Sequence, residues 1–296
     1  MQQALSAQAQ ERRHVHSASG SQLKGLRQVG LGTSSVTLTW TPVPGGSPYT
    51  VYRDGRKIGS VRGASFTDTG LRGPASHRYT VRDRYGQESS VTARVGLRWP
   101  RLRAQDARSI ALITTYPSLE DVLLGRVEGG TGFVVSPACD ILTAYHVVRS
   151  AHLFIDVALP GDALVHARVL ASDPGKDLAL LAVPAGTGCG PPLAFAAQPP
   201  ADGTSIGLLG HRGLRELALA SGAVLGQSEP VDVTSLGILH EFPFRASVDP
   251  GDSGAPLLNR LGQVVGVVDA RSSGTIGYAV PGTAAAAFVR RVAGAP

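Results

Sequence analysis

Ser253 lies in the stretch Asp249-Pro250-Gly251-Asp252-Ser253-Gly254-Ala255-Pro256-Leu257, among glycines that let a chain turn tightly. In such a turn the N–H groups of Gly251 and Ser253 can point into one pocket. Two preorganised donors there would stabilise an oxyanion while the Ser253 hydroxyl attacks a carbonyl. A serine hydroxyl is a weak nucleophile until a base takes its proton, and that base needs a third group to orient it. His146 follows the apolar run Ile141-Leu142-Thr143-Ala144, a setting that holds a ring rigidly beside a cleft. Asp177 is the last polar residue before Leu178-Ala179-Leu180-Leu181-Ala182-Val183, so its carboxylate is expected at an interior edge. A buried carboxylate needs a donor, and an imidazole N–H is a fitting one. The chemistry these types support is acyl transfer to Ser253 and then to water, with His146 as base and then acid and Asp177 fixing its tautomer.

Each residue also has a plainer reading. A lone histidine after a strand is commonly a packed core residue, and a serine between glycines is commonly a turn. Asp173, four residues before Asp177, stands in a Pro/Gly turn where aspartate is frequent for local reasons. Of the other histidines, His14 and His16 fall in the polar opening and His77 in an N-terminal strand pattern. His152, His166, His211 and His240 lack the small-residue setting of His146.

The elements that must hold these residues are strands. With 37 glycines, 20 prolines and 17% charged residues, the composition is that of a turn-rich globular chain, not a disordered one. From Gln22 to about Arg98, some seven short alternating strands with no helix signal predict a β-sandwich, with Asp54-Gly55 as a tight hairpin. Residues 99–107 hold proline and charge without periodicity and read as a linker. Beyond it, strands are expected at Ser109–Thr115, Thr131–Ser136, Ile141–Thr143, Leu153–Val157, Val165–Ala171 and Leu178–Val183. A second group follows at Ser205–Leu209, Glu216–Val224, Glu241–Ala246, Ala255–Asn259, Val264–Asp269 and Thr275–Val280. Two groups of about six predict two small barrels, and Thr283–Val292 predicts a closing helix. The fold class is all-β: a flexible tail over 1–20, a sandwich over 21–98 and a two-barrel domain over 108–296.

No apolar run is long enough to span a membrane, and the polar opening is not expected to be a secretory signal. Cys139 and Cys189 are compatible with two unpaired thiols or with one disulfide. Charge is uneven: residues 1–106 carry 16 Lys/Arg against 6 Asp/Glu, and residues 107–296 carry 12 against 16. The basic sandwich is either a solvated surface or a contact for a cell surface or anionic polymer; nucleic acid is not the expected partner.

Two resemblances follow from these residues. Trp40, the Tyr49-Thr50-Val51-Tyr52-Arg53-Asp54-Gly55 hairpin, and Leu71 followed by Tyr79 resemble a fibronectin type III domain, which implies a Tyr79 hydroxyl bonded back to main chain. Gly130-Thr131-Gly132-Phe133, Leu142–Val148, Lys176–Leu181, Gly251–Leu257 and Gly277–Pro281 resemble a trypsin-like serine protease domain, closest to the high-temperature-requirement (Deg) type. The resemblance implies a pair of six-stranded barrels with a His146/Asp177/Ser253 triad between them, peptide or protein substrates, and no cofactor or metal. It favours work outside the cytoplasm, with the cytoplasm as the alternative. It also implies a primary pocket floored by Ser247, six residues before the serine, and lined by Arg271, Ser272 and Tyr278. With no carboxylate at 247, a small or medium uncharged P1 residue is expected, with acidic P1 through Arg271 as the minor alternative. The sequence departs from the pattern in Ala255 for the usual Gly, in Asp252 for the Deg-type Asn, and in the expected lack of a following PDZ domain. Arg126–Gly130 superficially resembles an activation-cleavage site and is read as a loop. A catalytically inactive homologue acting as a binding protein stays open as the alternative.

Overall fold

The computed structural model describes residues 23–294 apart from 74, 162–163, 234–236 and 274, together with the side chains outside 232–238 and 270–274. The expected tail over 1–20 lies outside them. The chain divides after Gly96 into two compact units.

The first unit is built from β1 (Arg27–Val29), β2 (Ser35–Thr39), β3 (Tyr49–Arg53), β4 (Arg56–Val61), β5 (Ser65–Thr69), β6 (Ala75–Arg82) and β7 (Glu88–Val95). They form a three-stranded sheet, β1-β2-β5, and a four-stranded sheet, β4-β3-β6-β7, around one core. Alternation dictates this: Val36 and Leu38 of β2 and Val51 of β3 are fully buried while the residues between them are not. Asp54 and Gly55 both take positive φ, as a two-residue hairpin of matching twist requires. The Tyr79 hydroxyl corrects the expectation of a main-chain bond. It donates to the Asp68 carboxylate at 2.6 Å, which Arg53 also meets at 2.8 Å. A buried carboxylate is the stronger acceptor, so it captures the phenol. The main-chain partnership belongs to Tyr49, whose hydroxyl accepts from the Val43 N–H at 2.7 Å.

The second unit opens with a correction. Residues 99–106, expected as linker, form helix α1 (Trp99–Asp106) with proline in its first turn, where a missing N–H costs nothing. Leu102 is fully buried in a core shared with Ile110, Phe133, Leu258 and Phe288, and the Arg260 guanidinium lies 3.9 Å from the Trp99 ring centre. One buried apolar residue, Leu102, between Arg101 and Arg103 leaves no periodicity to read.

Next, β8 (Ile110–Thr115), β9 (Glu128–Val134), β10 (Ile141–Ala144), β11 (Ile155–Ala158), β12 (Val165–Asp173) and β13 (Leu178–Ala182) close a barrel in the order β10-β13-β12-β11-β8-β9. Arg126–Gly130 is loop only as far as Val127; Glu128 to Gly130 already pair with β8. A short helix, Leu119–Leu123, joins β8 to β9. The second barrel uses β14 (Ser205–His211), β15 (Leu217–Val224), β16 (Glu229–Val233), β17 (Gly237–Arg245), β18 (Pro256–Leu258), β19 (Val264–Ser273) and β20 (Ile276–Pro281). The β15–β17 pairing closes six of these, and β16 extends β17 as a ribbon that the sequence did not signal. Helix Gly282–Ala293 covers β19 and β13. Cys139, in the β9–β10 turn, is joined to Cys189 in the inter-barrel segment by a disulfide.

Candidate active site

His146 begins where β10 ends, on a single helical turn, Tyr145–Val148. Asp177 caps the turn Pro174–Lys176 with φ +48° and ψ +46°, a left-handed conformation that aspartate tolerates better than most residues. That conformation turns a fully buried carboxylate onto the helical turn. Asp177 then holds it at three points. Its carbonyl accepts from the Tyr145 N–H at 3.0 Å, Oδ1 accepts from the His146 N–H at 2.8 Å, and Oδ2 lies 2.6 Å from His146 Nδ1. Asp173 is engaged elsewhere, with Lys176 at 2.7 Å and Arg291 at 2.9 Å.

The Ser253 turn docks against the first barrel. The Ser253 carbonyl accepts from the Thr131 N–H at 2.8 Å, and the Thr131 hydroxyl donates to the Gly251 carbonyl at 2.7 Å. Gly254 has φ +82°, and a side chain there would strike the Thr131 carbonyl and the Thr143 hydroxyl, so only glycine lets the turn approach β10. Ser253 thus comes to lie beside the strand that ends at His146. Its hydroxyl donates to the main-chain carbonyl of Asp269 at 3.3 Å rather than to the ring. Asp269 completes the junction, because its Oδ1 is 3.3 Å from His146 Nδ1. Among the described residues the N–H groups of Gly251 and Ser253 have no protein acceptor.

The electrostatics follow from burial. Desolvation opposes charge on His146, but hydrogen bonds to Asp177 and Asp269 outweigh it and push the ring up to about 9. Burial and the neighbouring Asp269 push Asp177 up, against the pull of the ring. Burial pushes Asp269 up, but the His146 ring at its Oδ1 and the neighbouring acids Glu241 and Asp177 outweigh burial and hold it low. Glu241 on β17 is fully buried and pushed up to about 10, first by desolvation and then by Asp269 and Asp177.

Known proteins carry the same arrangement of elements. The trypsin-like peptidase domain family matches residues 130–267. A crystal structure of the Rv3671c protease from Mycobacterium tuberculosis in its active form is 30% identical, with a TM-score of 0.56 over 66% of this chain and 85% of that one. The chain belongs to the trypsin-like serine peptidase family. The curated serine protease Rv3671c of M. tuberculosis strain H37Rv is 39% identical over 156 residues, covering 48% of this chain and 36% of that protein. A probable periplasmic DegP-like serine endoprotease of Chlamydia trachomatis is 33% identical over 168 residues, 51% of this chain and 31% of that one. The chain thus spans about a third of the length of these curated relatives.

Within this peptidase unit, the two departures around Ser253 have a structural account. The Ala255 methyl is fully buried in the second barrel's core, where it faces Gly210; a Cβ on Gly210 would come within 3.2 Å of it. It therefore fills space that a glycine on β14 leaves and does not crowd the turn. Asp252 is buried, accepts from the Asp249 N–H at 2.9 Å, and has Arg212 Nε 3.7 Å away. Burial still pushes it up to about 6. Arg212 also meets Asp249 at 3.2 Å and donates to the Ser247 carbonyl at 2.7 Å, so one side chain ties together the loop leading to Ser253. Ser247 is exposed and Tyr278 half-buried on β20; the side chains of Arg271 and Ser272 lie outside the described residues.

Sequence reasoning missed Asp269, Glu241 and Arg212. Asp269 ends the apolar run Val264–Val268 as Asp177 begins one, the same cue in mirror image. Glu241 sits between the apolar residues of β17, a buried acid that the strand pattern could have singled out. Arg212 stands in a Gly/Arg turn with nothing to distinguish it.

Proposed function

We propose that the chain is a serine endopeptidase in which His146, Asp177 and Ser253 form the triad. The carrying observation is the three-point hold of Asp177 on Tyr145–His146, beside a serine whose turn is docked on the same strand. Ser253 rotates from the Asp269 carbonyl toward the ring as substrate binds. His146 takes the hydroxyl proton as Oγ attacks the scissile carbonyl, and gives it to the leaving amine as the tetrahedral intermediate collapses. A water activated by the same ring then releases the acyl group. The N–H groups of Gly251 and Ser253, free of protein acceptors, hold the oxyanion. Ser247, Arg271, Ser272 and Tyr278 line the primary pocket, which takes a small or medium uncharged P1 residue because no carboxylate stands at 247. A fluorophosphonate probe tests this reading. The wild type is expected to be labelled and Ser253→Ala not; a wild type unlabelled across pH and temperature sinks it.

We also infer that residues 21–98 form a fibronectin type III-like module, supported by the three-plus-four strand arrangement and the buried Trp40 and Tyr79. Its excess of basic residues supports contact with an anionic polymer or cell surface. Retention of the chain on an anionic polysaccharide at low salt, lost when surface arginines of 27–98 are replaced by glutamine, is the expected result.

A further inference from the structure

Asp269 touches both ends of the proposed relay. Its Oδ1 reaches the ring nitrogen that Asp177 also holds, and its main-chain carbonyl accepts the Ser253 hydroxyl. Asp177 and Asp269 are the charged groups facing the ring among the described residues, and oxygens of both lie within 4.8 Å of each other and of Nδ1. Two carboxylates that close repel, so both persist only where positive charge or a donated proton offsets the repulsion. The ring supplies the first. Glu241 supplies the second: fully buried and, among the described residues, without a donor, it neighbours Asp269 and is stable as the neutral acid. Its O–H then has an acceptor available in the neighbouring Asp269, whose Oδ2 has no hydrogen-bond partner among the described residues.

We propose that Asp269 is a second positioning carboxylate for His146, sharing the Nδ1 proton with Asp177 and backed by Glu241 as a hydrogen-bond donor. The proposal rests on the serine peptidase reading and deepens it. When the ring takes the Ser253 proton, the imidazolium is stabilised by two carboxylates, and no bond to either aspartate is made or broken. Two consequences follow. Losing Asp177 leaves a carboxylate still able to hold the tautomer. Losing Asp269 weakens the ring's hold on its second proton, so the neutral base appears at lower pH.

The test is a kcat/KM pH profile for wild type, Asp269→Asn, Asp177→Asn, the double variant and Glu241→Gln. A histidine NMR titration in a Ser253→Ala background runs in parallel, with the His146 signal identified by its loss in His146→Ala. Asp269→Asn is expected to move the acid limb down by about one pH unit and lower the plateau about tenfold, with KM within twofold. The His146 NMR titration should fall equally. Asp177→Asn should lose only about 10²-fold, and the double variant about 10⁴-fold, the loss expected when the orienting carboxylate is gone. Glu241→Gln keeps the donor toward Asp269, so its His146 NMR titration is expected at the wild-type position. If Asp269→Asn does not fold, Asp269→Ser must give the same limb shift. An unmoved acid limb and unmoved NMR titration, or a full 10⁴-fold loss in Asp177→Asn alone, would overturn the proposal. Because the NMR arm needs no turnover, a lowered His146 titration in an unlabelled, inactive protein would support the second carboxylate while sinking the peptidase reading.

Discussion

The first barrel joins histidine to aspartate twice, and the two pairs share a buried acid but differ in how the histidine is held. His146 Nδ1 lies 2.6 Å from Asp177, and His166 Nδ1 lies 2.5 Å from Asp156. At the first pair the aspartate side chain is 0% exposed and the histidine 25%; at the second the histidine is 73% exposed. His146 is fixed through its own main chain, flanked by a second carboxylate and set beside a serine. His166 projects from β12 against the Phe154 ring. A short histidine–carboxylate bond therefore does not by itself mark a base. The base needs an immobile ring with its second nitrogen turned toward a nucleophile. Both acids are buried, the Asp156 side chain 5% exposed and that of Asp177 0%, so what immobilises His146 is the hold of Asp177 on the Tyr145 and His146 main chain as well as on the ring.

Substitution should separate the pairs widely. His146→Ala is expected to lower kcat by about 10⁴-fold or more without unfolding the protein, measured on a peptide substrate alongside circular dichroism. A loss under tenfold would mean that this pair is as incidental as the other. The next largest effect is on stability. The Cys139–Cys189 link closes a loop over a sequence separation of 50, and its removal by the double serine variant should cost roughly 2–4 kcal/mol in urea unfolding. Fluorophosphonate labelling at 25 °C should persist, since the link lies at the start of β10 and the site at its end. If labelling vanished at temperatures where the variant is folded, the site would depend on the barrel's distant turn and not on Asp177.

How much of this was legible in the sequence follows from range. Asp177 and the Ser253 turn announced themselves because their constraints are local: a polar residue opening an apolar strand, and glycines where only glycine fits. The two barrels were readable because strands of alternating or continuous apolar character have few other uses. The first helix was not, because Leu102 is its one fully buried apolar residue, Trp99 packs only partly against the core, and Arg101 and Arg103 are exposed. The disulfide was undecided until the fold brought residues 139 and 189 together. Asp269 and Glu241 were missed for the same reason. Their meaning lies in a cluster assembled from β17, β19 and the β12–β13 turn, and no window of sequence contains it.

Arg212 offers a finer test of what fixes the site. It ties Ser247, Asp249 and Asp252 together, so it preforms the loop that carries the Gly251 and Ser253 N–H groups. Arg212→Met keeps the stem and removes the charge, and should lower kcat/KM about 10–100-fold, in line with loosening one oxyanion donor. The His146 NMR titration should stay in place, because the loop and the ring are held by different residues. A titration that moved with Arg212 would join the two halves of the site electrostatically.

The smallest expected effect belongs to the second pair. With the histidine largely in water, the His166–Asp156 bond competes with hydration and is screened by salt, so exposed pairs of this kind contribute about 0–1 kcal/mol. Asp156 also retains a neighbour in Tyr116, whose hydroxyl is pushed up by burial and then by the Asp156 charge. His166→Gln should therefore change unfolding free energy by less than about 1 kcal/mol and peptide hydrolysis by less than twofold. If instead activity fell tenfold with stability unchanged, the outer face of β12 would be engaging substrate, and the contrast between the two pairs would be one of location within a longer binding surface.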